Sequence, residues 1–432
     1  MRWKDEWKWV VGLSVVFLVL YFLPIGIPRF DNAILESLML AKWYMREHVL
    51  LCLIPALFIA GAVSAFVSQT SVMKYFGAQA NKVLAYAVAS VSGTILAVCS
   101  CTILPLFAGI YKRGAGLGPA IAFLYSGPAI NILAIVLTAR VLGFEMGVAR
   151  AIGAIVFSVV IGLAMHLLFL QEEMQKSKDQ AGLLFSENDT TPWQRGVLFA
   201  SLCAILVFSN WNKGGETSGF FYSIYSVKWV LTSFFAVVFA MSLVVWFRAK
   251  VLKITLASSA TVVAALLFPG MPSISFCVGF IGLSWSLSGE EGELNDWLEA
   301  TWSLSKQIFP LLIAGVLFSG FLLGSPGKEG VIPSAWISRC VGSNSLAANM
   351  FSSVVAAFMY FATLTEIPIL QGLMDNGMDK GPALALLLAG PSLSLPSMLV
   401  LKSIMGTKKT VAYVGLVILM STITGKFYGA FF

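Results

Sequence analysis

Residues 118–139 run GPAIAFLYSGPAINILAIVLTA without one charged side chain. Wound as a helix, about 20 apolar residues match the thickness of a bilayer's hydrocarbon core. Further apolar runs lie at about 47–68, 83–110, 146–170, 196–210, 227–247, 253–269, 272–288, 304–324, 346–373, 381–401 and 409–431. They fill most of a chain of 432 residues. Only 11% of those residues are charged and 58% are apolar, where a soluble domain carries roughly 25% charged residues. A soluble surface of this size needs more charge, so a soluble enzyme, a disordered chain and an ordinary nucleic-acid binder are excluded. The expected fold is all-α, a polytopic transmembrane helical bundle of about twelve spans.

The N-terminal segment MRWKDEWKWV precedes an apolar run to about Pro24. No small-residue cleavage site follows, which points to an uncleaved first span with Trp3, Trp7 and Trp9 at the interface. The net charge of +7 is expected in short loops and at helix ends, not in a nucleic-acid footprint. The segment FPGMP splits the runs 253–269 and 272–288. These are two spans, one broken span or a re-entrant hairpin. Residues 171–195 form the longest polar stretch and read as a linker. The organisation expected is a first span plus a first repeat (1–170), the linker (171–195), a middle membrane region (196–298) and a second repeat (299–432).

The repeat is visible in the residues. Segment 99–128, CSCTILPLFAGIYKRGAGLGPAIAFLYSGP, aligns without a gap to 362–391, ATLTEIPILQGLMDNGMDKGPALALLLAGP. Thr102 meets Thr365, Pro105 meets Pro368, Gly114 meets Gly377, Gly118 meets Gly381, and Gly127-Pro128 meets Gly390-Pro391. The register continues to Gly162 and Gly425, and FIAG (58–61) is echoed more weakly by LIAG (312–315). Chance matches Ala and Leu between apolar helices, but seldom every Gly and Pro. Duplicated halves around a shared site are a transporter signature. The first repeat's turn carries Lys112 and Arg113, its twin Asp375, Asp379 and Lys380. The positive-inside rule then favours opposite faces and inverted halves.

Both SGPAIN (126–131) and AGPSLS (389–394) lie inside apolar runs. Proline lacks an N–H and clashes with the carbonyl four residues earlier, here Leu124 and Leu387. The freed backbone groups are tolerated at membrane depth only inside protein or along a watery cavity. Ser126, Gly127, Pro128, Asn131, Gly390, Pro391, Ser392 and Ser394 are therefore candidate substrate-binding positions, with a plain proline kink as the simpler alternative. Cys99 and Cys101 flank Ser100 just before Pro105. On a regular helix they point apart, whereas an unwound stretch would let both thiolates hold one soft ion. Buried structural thiols and a redox pair are the other readings, and the second half has no thiol there. The other four cysteines are scattered, unlike a disulfide scaffold. Glu366 faces Ile103 across the repeat and sits in YFATLTEIPIL. A carboxylate at depth is usually functional or paired, so Glu366 is a candidate proton carrier; the alternative is a surface carboxylate beside a Lys. His48 and His166 read as interfacial. The acidic residues at 290–296 read as a solvated loop. No Walker A, GxSxG or HExxH pattern occurs, so neither an enzyme nor a resident cofactor is expected.

The segment CSCTILPLFAGIYKRGAGLGPAIAFLYSGPAIN (99–131) resembles a predicted-permease family that includes the YraQ-like proteins and the ArsP organoarsenical efflux permeases. Cys99, Ser100, Cys101, Pro105, Gly109, Lys112, Gly114, Gly118, Ala122 and Pro128 carry the resemblance. It implies a multi-pass permease of the inner (plasma) membrane. In the ArsP branch it implies export of trivalent organoarsenicals through cysteine thiols, with Cys99 and Cys101 as the metal or metalloid ligands. This chain departs from the smaller ArsP-type proteins in its long middle region, 196–288. The expected partners are the lipid bilayer and a small inorganic or organometalloid substrate, with no nucleic acid and with homo-oligomerisation open. The competing functions are a membrane thiol oxidoreductase and a permease for an unrelated small solute.

Overall fold

The computed structural model describes residues 10–14, 21–66, 81–96, 100–173, 191–211, 220–290, 292–324, 340–359, 366–375 and 377–431, with a few isolated positions besides. Helix is the regular structure throughout, and no strand forms among the described residues. A long first element comprises α1 (Pro28–Tyr44), a π-helical stretch (Met45–Leu53) and α2 (Ile54–Phe66). Then come α3 (Lys82–Leu96), α4 (Ser100–Lys112), α5 (Leu117–Ala129), α6 (Ile132–Val141) and α7 (Phe144–Leu168). The middle region contributes α8 (Pro192–Ser209), α9 (Phe220–Val245), α10 (Val251–Leu267) and α11 (Pro272–Leu287). The last part holds α12 (Glu293–Leu323), α13 (Leu346–Phe358), α14 (Glu366–Asp375), α15 (Lys380–Ala389), α16 (Leu395–Met405) and α17 (Thr407–Phe431).

Among the described residues, five helices are long and apolar enough to cross a membrane: Val49–Phe66, Phe144–Leu168, Tyr222–Val245, Glu293–Leu322 and Thr407–Phe431. A sixth span results if Leu117–Ala129 and Ala134–Val141, bent by 48°, count together. The expected count of about twelve full spans is therefore reduced among the described residues to five or six plus a set of shorter apolar helices. The physical reason is punctuation. Gly and Pro cut long apolar runs into pieces of 10–17 residues, and a 13-residue helix rises only roughly 20 Å. The FPGMP break makes α10 and α11 a hairpin. Pro272 opens α11, a Cβ on Gly282 would meet Ala257, and Lys253 Nζ donates to the Ser288 carbonyl at 2.6 Å. The outer faces of the middle helices are apolar and exposed, with Val230, Leu266 and Ile281 each at least 70% accessible. Hydrocarbon suits such faces and water does not.

Element boundaries recur at a fixed spacing. Helices α15, α16 and α17 begin at Lys380, Leu395 and Thr407, each 263 residues after the starts of α5, α6 and α7. Glycines with left-handed backbone sit at matching turns: Gly114 (φ 93°) and Gly377 (φ 96°), Gly143 (φ 105°) and Gly406 (φ 83°). A side chain at these φ values would be strained. Close helix crossings match too. The Gly118 carbonyl lies 2.7 Å from where a Cβ on Gly162 would sit, and the Gly381 carbonyl 2.6 Å from the same point on Gly425.

Helices of the two parts run antiparallel where they meet. Lys409, at the start of α17, bonds to Glu173 just beyond the end of α7. Tyr428, near the end of α17, lies near Glu145 at the start of α7. Likewise α12 runs against α1 and α2. Ser37 Oγ donates to the Leu317 carbonyl at 2.7 Å, and Trp297 Nε1 to the Phe58 carbonyl at 2.8 Å. Trp297 is fully buried, with Phe58, Phe66 and Phe239 around its ring.

Candidate functional site

The two Gly-Pro positions end their helices, each in its own way. Pro128 lies in the last turn of α5, Ile130 caps that helix and Asn131 separates it from α6. Asn131 Oδ1 accepts from the Ala134 amide at 3.4 Å, a side-chain cap on the new helix. The second break is wider. Residues Gly390, Pro391 and Ser392 form a turn, and Ser394 caps α16 by accepting from the Ser397 amide at 3.3 Å. Ser394 and Ser397 also share a hydroxyl hydrogen bond of 2.7 Å.

These breaks cross one another. The Tyr125 hydroxyl donates to the Leu388 carbonyl at 2.8 Å, and the Ser392 hydroxyl to the Tyr125 carbonyl at 3.4 Å. Tyr125 and Leu388 are 263 residues apart, the same spacing that relates the helix starts. A residue that touches its own counterpart lies close to the axis relating the two parts. Gly127, Pro128, Gly390 and Pro391 are all buried beside this crossing. Ser126 is buried too, but its hydroxyl donates to the Ala89 carbonyl at 2.8 Å and contacts the Phe123 carbonyl at 3.2 Å. That bond packs α5 onto α3.

Glu366 is the first residue of α14, where the helix dipole favours a carboxylate. It is fully buried and forms an ion pair through Oε1 with Nη2 of Arg150, itself fully buried in α7. Arg150 Nη1 donates to Thr138 Oγ1 at 2.9 Å, and Thr138 in turn donates to the Ala134 carbonyl at 2.7 Å. One guanidinium thus ties α6 and α7 to α14. The pairing is incomplete: among the described residues, Arg150 Nε and Glu366 Oε2 have no hydrogen-bond partner. The positions 263 residues from Arg150 and Glu366 are Tyr413 and Ile103, both uncharged. The ionic pair therefore occurs once, not twice. The alternative of a surface Glu beside a Lys does not hold, because the partner is an arginine and both groups are enclosed.

A second buried charge cluster lies at the end of the bundle that carries the α4–α5 turn. Glu173 accepts from Lys409 Nζ at 3.0 Å and from the Tyr111 hydroxyl at 3.2 Å through Oε1. Its Oε2 accepts from the Leu117 amide at the start of α5 at 3.1 Å. Lys409 also reaches Glu172 at 3.4 Å. Residues 171–173, the first of the expected linker, continue helically, and Glu173 is only 5% exposed.

Ser100 opens α4 and Cys101 follows within it, while Cys99 lies outside the described residues. No group of three or more His, Cys, Asp or Glu able to hold a metal occurs among the described residues. Sequence reasoning singled out neither Arg150 nor the Glu173–Lys409 cluster. One signal for Arg150 was present: a lone arginine inside the apolar run 146–170, with a tyrosine at the matching position.

Buried polar breaks, an enclosed ion pair and lipid-suited outer faces define a helical membrane protein with a polar centre. The chain belongs to the predicted-permease family ArsP_1, whose model matches residues 34–430. It is 37% identical over 388 residues to the UPF0718 protein MJ0584 of Methanocaldococcus jannaschii, covering 89% of this chain and 93% of that one. It is 33% identical over 113 residues to the UPF0718 protein YraQ of Escherichia coli, covering 26% of this chain and 30% of that one. No solved structure matches it significantly.

Proposed function

We propose that the chain is a secondary permease of the inner membrane, built from two inverted halves, with its transport site where the broken helices cross. The observation that carries this reading is the enclosed Arg150–Glu366 pair beside that crossing. A buried ion pair costs desolvation and seldom stabilises a fold, so in a membrane it marks a substrate or ion path. Inversion is supported by the antiparallel run of α7 against α17 at a constant offset. The α4–α5 and α14–α15 turns then lie on opposite faces. The end near the α4–α5 turn is the more basic, with Lys112, Arg113, Arg248, Lys250, Lys253, Lys402, Lys408 and Lys409, which favours the cytoplasm for it. Glu366, enclosed at the described start of α14 and paired with Arg150, is the proton carrier in this reading.

The cargo we propose is a soft metal or metalloid species, such as a trivalent organoarsenical, exported with Cys99 and Cys101 as ligands. Ser126, Gly127, Pro128, Asn131, Gly390, Pro391, Ser392 and Ser394 would frame the path. Support comes from family membership and from Cys101, in the first turn of α4, at the position that Leu364, two residues before Glu366, holds in the second half. The test is uptake into everted membrane vesicles of arsenite, methylarsenite, Zn(II) and Cu(I), by the native chain and a Cys99→Ser/Cys101→Ser variant. Thiol-dependent accumulation of one species is the expected result. Accumulation of none sinks the soft-ion reading and leaves a permease for another solute.

A further inference from the structure

We infer that the Arg150–Glu366 pair is a receptor for a small neutral oxyacid, a molecule offering one oxygen to the guanidinium and one hydroxyl to the carboxylate. This inference rests on the permease reading and names the chemical form in which cargo meets the site.

The pair is bonded through one nitrogen and one oxygen only. It leaves one donor, Arg150 Nε–H, and one acceptor, Glu366 Oε2, buried without partners among the described residues. Leaving such groups unpaired is costly, and more so when they are charged. A second contact between the two partners, or a water, would be the usual remedy. Covalent and hydrogen-bond lengths keep the two free atoms within about 7 Å of each other. The complement is a ligand that accepts at one end and donates at the other across that distance. An oxyacid with a protonated oxygen does both.

Charge narrows the class. Arg150 and Glu366 bring one positive and one negative charge together, and the Thr138 hydroxyl that accepts from Arg150 adds none. A bare metal cation would face the guanidinium. A fully ionised oxyanion would face the carboxylate and bring no donor. A neutral hydroxylated species adds no net charge to an enclosed site. A metalloid would therefore arrive as its hydroxide, not as a stripped ion. Because Tyr413 and Ile103 occupy the matching positions, the chain has one such receptor.

The experiment is isothermal titration calorimetry on the purified full-length chain in detergent, with Cys99→Ser and Cys101→Ser present so that thiols take no part. The probes are boric acid, arsenous acid, sulfate and zinc chloride. The two neutral acids are expected to bind at one site and the two ions not to bind. Replacing the pair by apolar side chains, Arg150→Met with Glu366→Met, should weaken acid binding roughly tenfold to a hundredfold. Arg150→Lys keeps the ion pair but lacks the Nε–H, and it should show the same loss even if the double variant fails to fold. Binding unchanged in Arg150→Lys, tighter binding of sulfate or zinc, or no binding of either acid overturns the inference. Acid binding without flux in vesicles removes the permease reading alone; flux of a solute without acid binding removes this inference alone.

Discussion

Two of the buried charge clusters among the described residues are built differently. Around Glu173, both carboxylate oxygens have partners: Lys409, the Tyr111 hydroxyl and the Leu117 amide. The cluster sits at a bundle end and joins α17 to α7 and to the α4–α5 turn. Around Glu366, one oxygen has a partner and the other has none among the described residues, and Arg150 Nε likewise has none there. That cluster is enclosed beside the helix breaks. A fully bonded ionic knot fastens elements together, whereas a half-bonded one retains capacity for another molecule. The contrast separates holding from binding, although both clusters join the same two parts of the molecule.

The sharpest way to break the comparison is at Arg150. Arg150→Met strands a fully buried carboxylate, so it should destabilise by about 3–5 kcal/mol and abolish flux. Adding Glu366→Met should recover most of the stability, since apolar isosteres often replace a buried pair at no net cost, yet restore no flux. Thermal unfolding in detergent and vesicle uptake read the two effects. Recovery of flux in the double variant would show that the pair is structural after all.

The fastening cluster should respond in the opposite manner. Glu173→Gln removes the charge that Lys409 meets and weakens the bond to the Leu117 amide. A loss of about 1–3 kcal/mol is expected, with flux altered in rate but not abolished. Loss of all flux at unchanged stability would place Glu173 on the transport path and erase the distinction.

Much of this frame was legible in the residues. Pro128 and Pro391 marked the breaks because a ring without an N–H cannot sit quietly in a helix. The matched glycines of the repeat fell on turns and close crossings, where only a missing Cβ fits. Glu366 stood out as a carboxylate in an apolar run. Its partner did not, because Arg150 lies near the start of its run, where a long cation ordinarily snorkels to the interface. The two are 216 residues apart, and no local pattern links them. Lys409 looked like a flanking cation and Glu173 like part of a polar linker. Only tertiary packing shows that both are enclosed. Among the described residues only five or six helices are long enough to cross, because apolar length alone does not reveal where Gly and Pro divide a run.

Tyr125→Phe sharpens the comparison on the enclosed side. It deletes the hydroxyl that reaches the Leu388 carbonyl and leaves that carbonyl unpaired, for an expected loss of about 1 kcal/mol. If the crossing is also where the halves move, uptake rates should change by more than the unfolding temperature suggests. An effect confined to stability would make the bond a simple tether.

The smallest effect is expected at Glu172, and it isolates burial as the variable. Glu172 and Glu173 are neighbours, and both reach Lys409, at 3.4 and 3.0 Å. Their side chains differ in exposure, 56% against 5%. An exposed ion pair is worth about 0–1 kcal/mol, because water and salt screen it and ordering the side chain costs entropy. Glu172→Gln should therefore shift stability by roughly 0.5 kcal/mol or less, and added salt should erase even that. Chain position, charge and the shared Lys409 are the same for the two residues, so enclosure and the bonds it allows Glu173 to Tyr111 and Leu117 are what separate them. Equal losses at both positions would mean that Lys409 needs total negative charge and not one enclosed, fully bonded carboxylate. The end cluster would then be diffuse electrostatics, and the contrast with Arg150–Glu366 would rest on the enclosed pair alone.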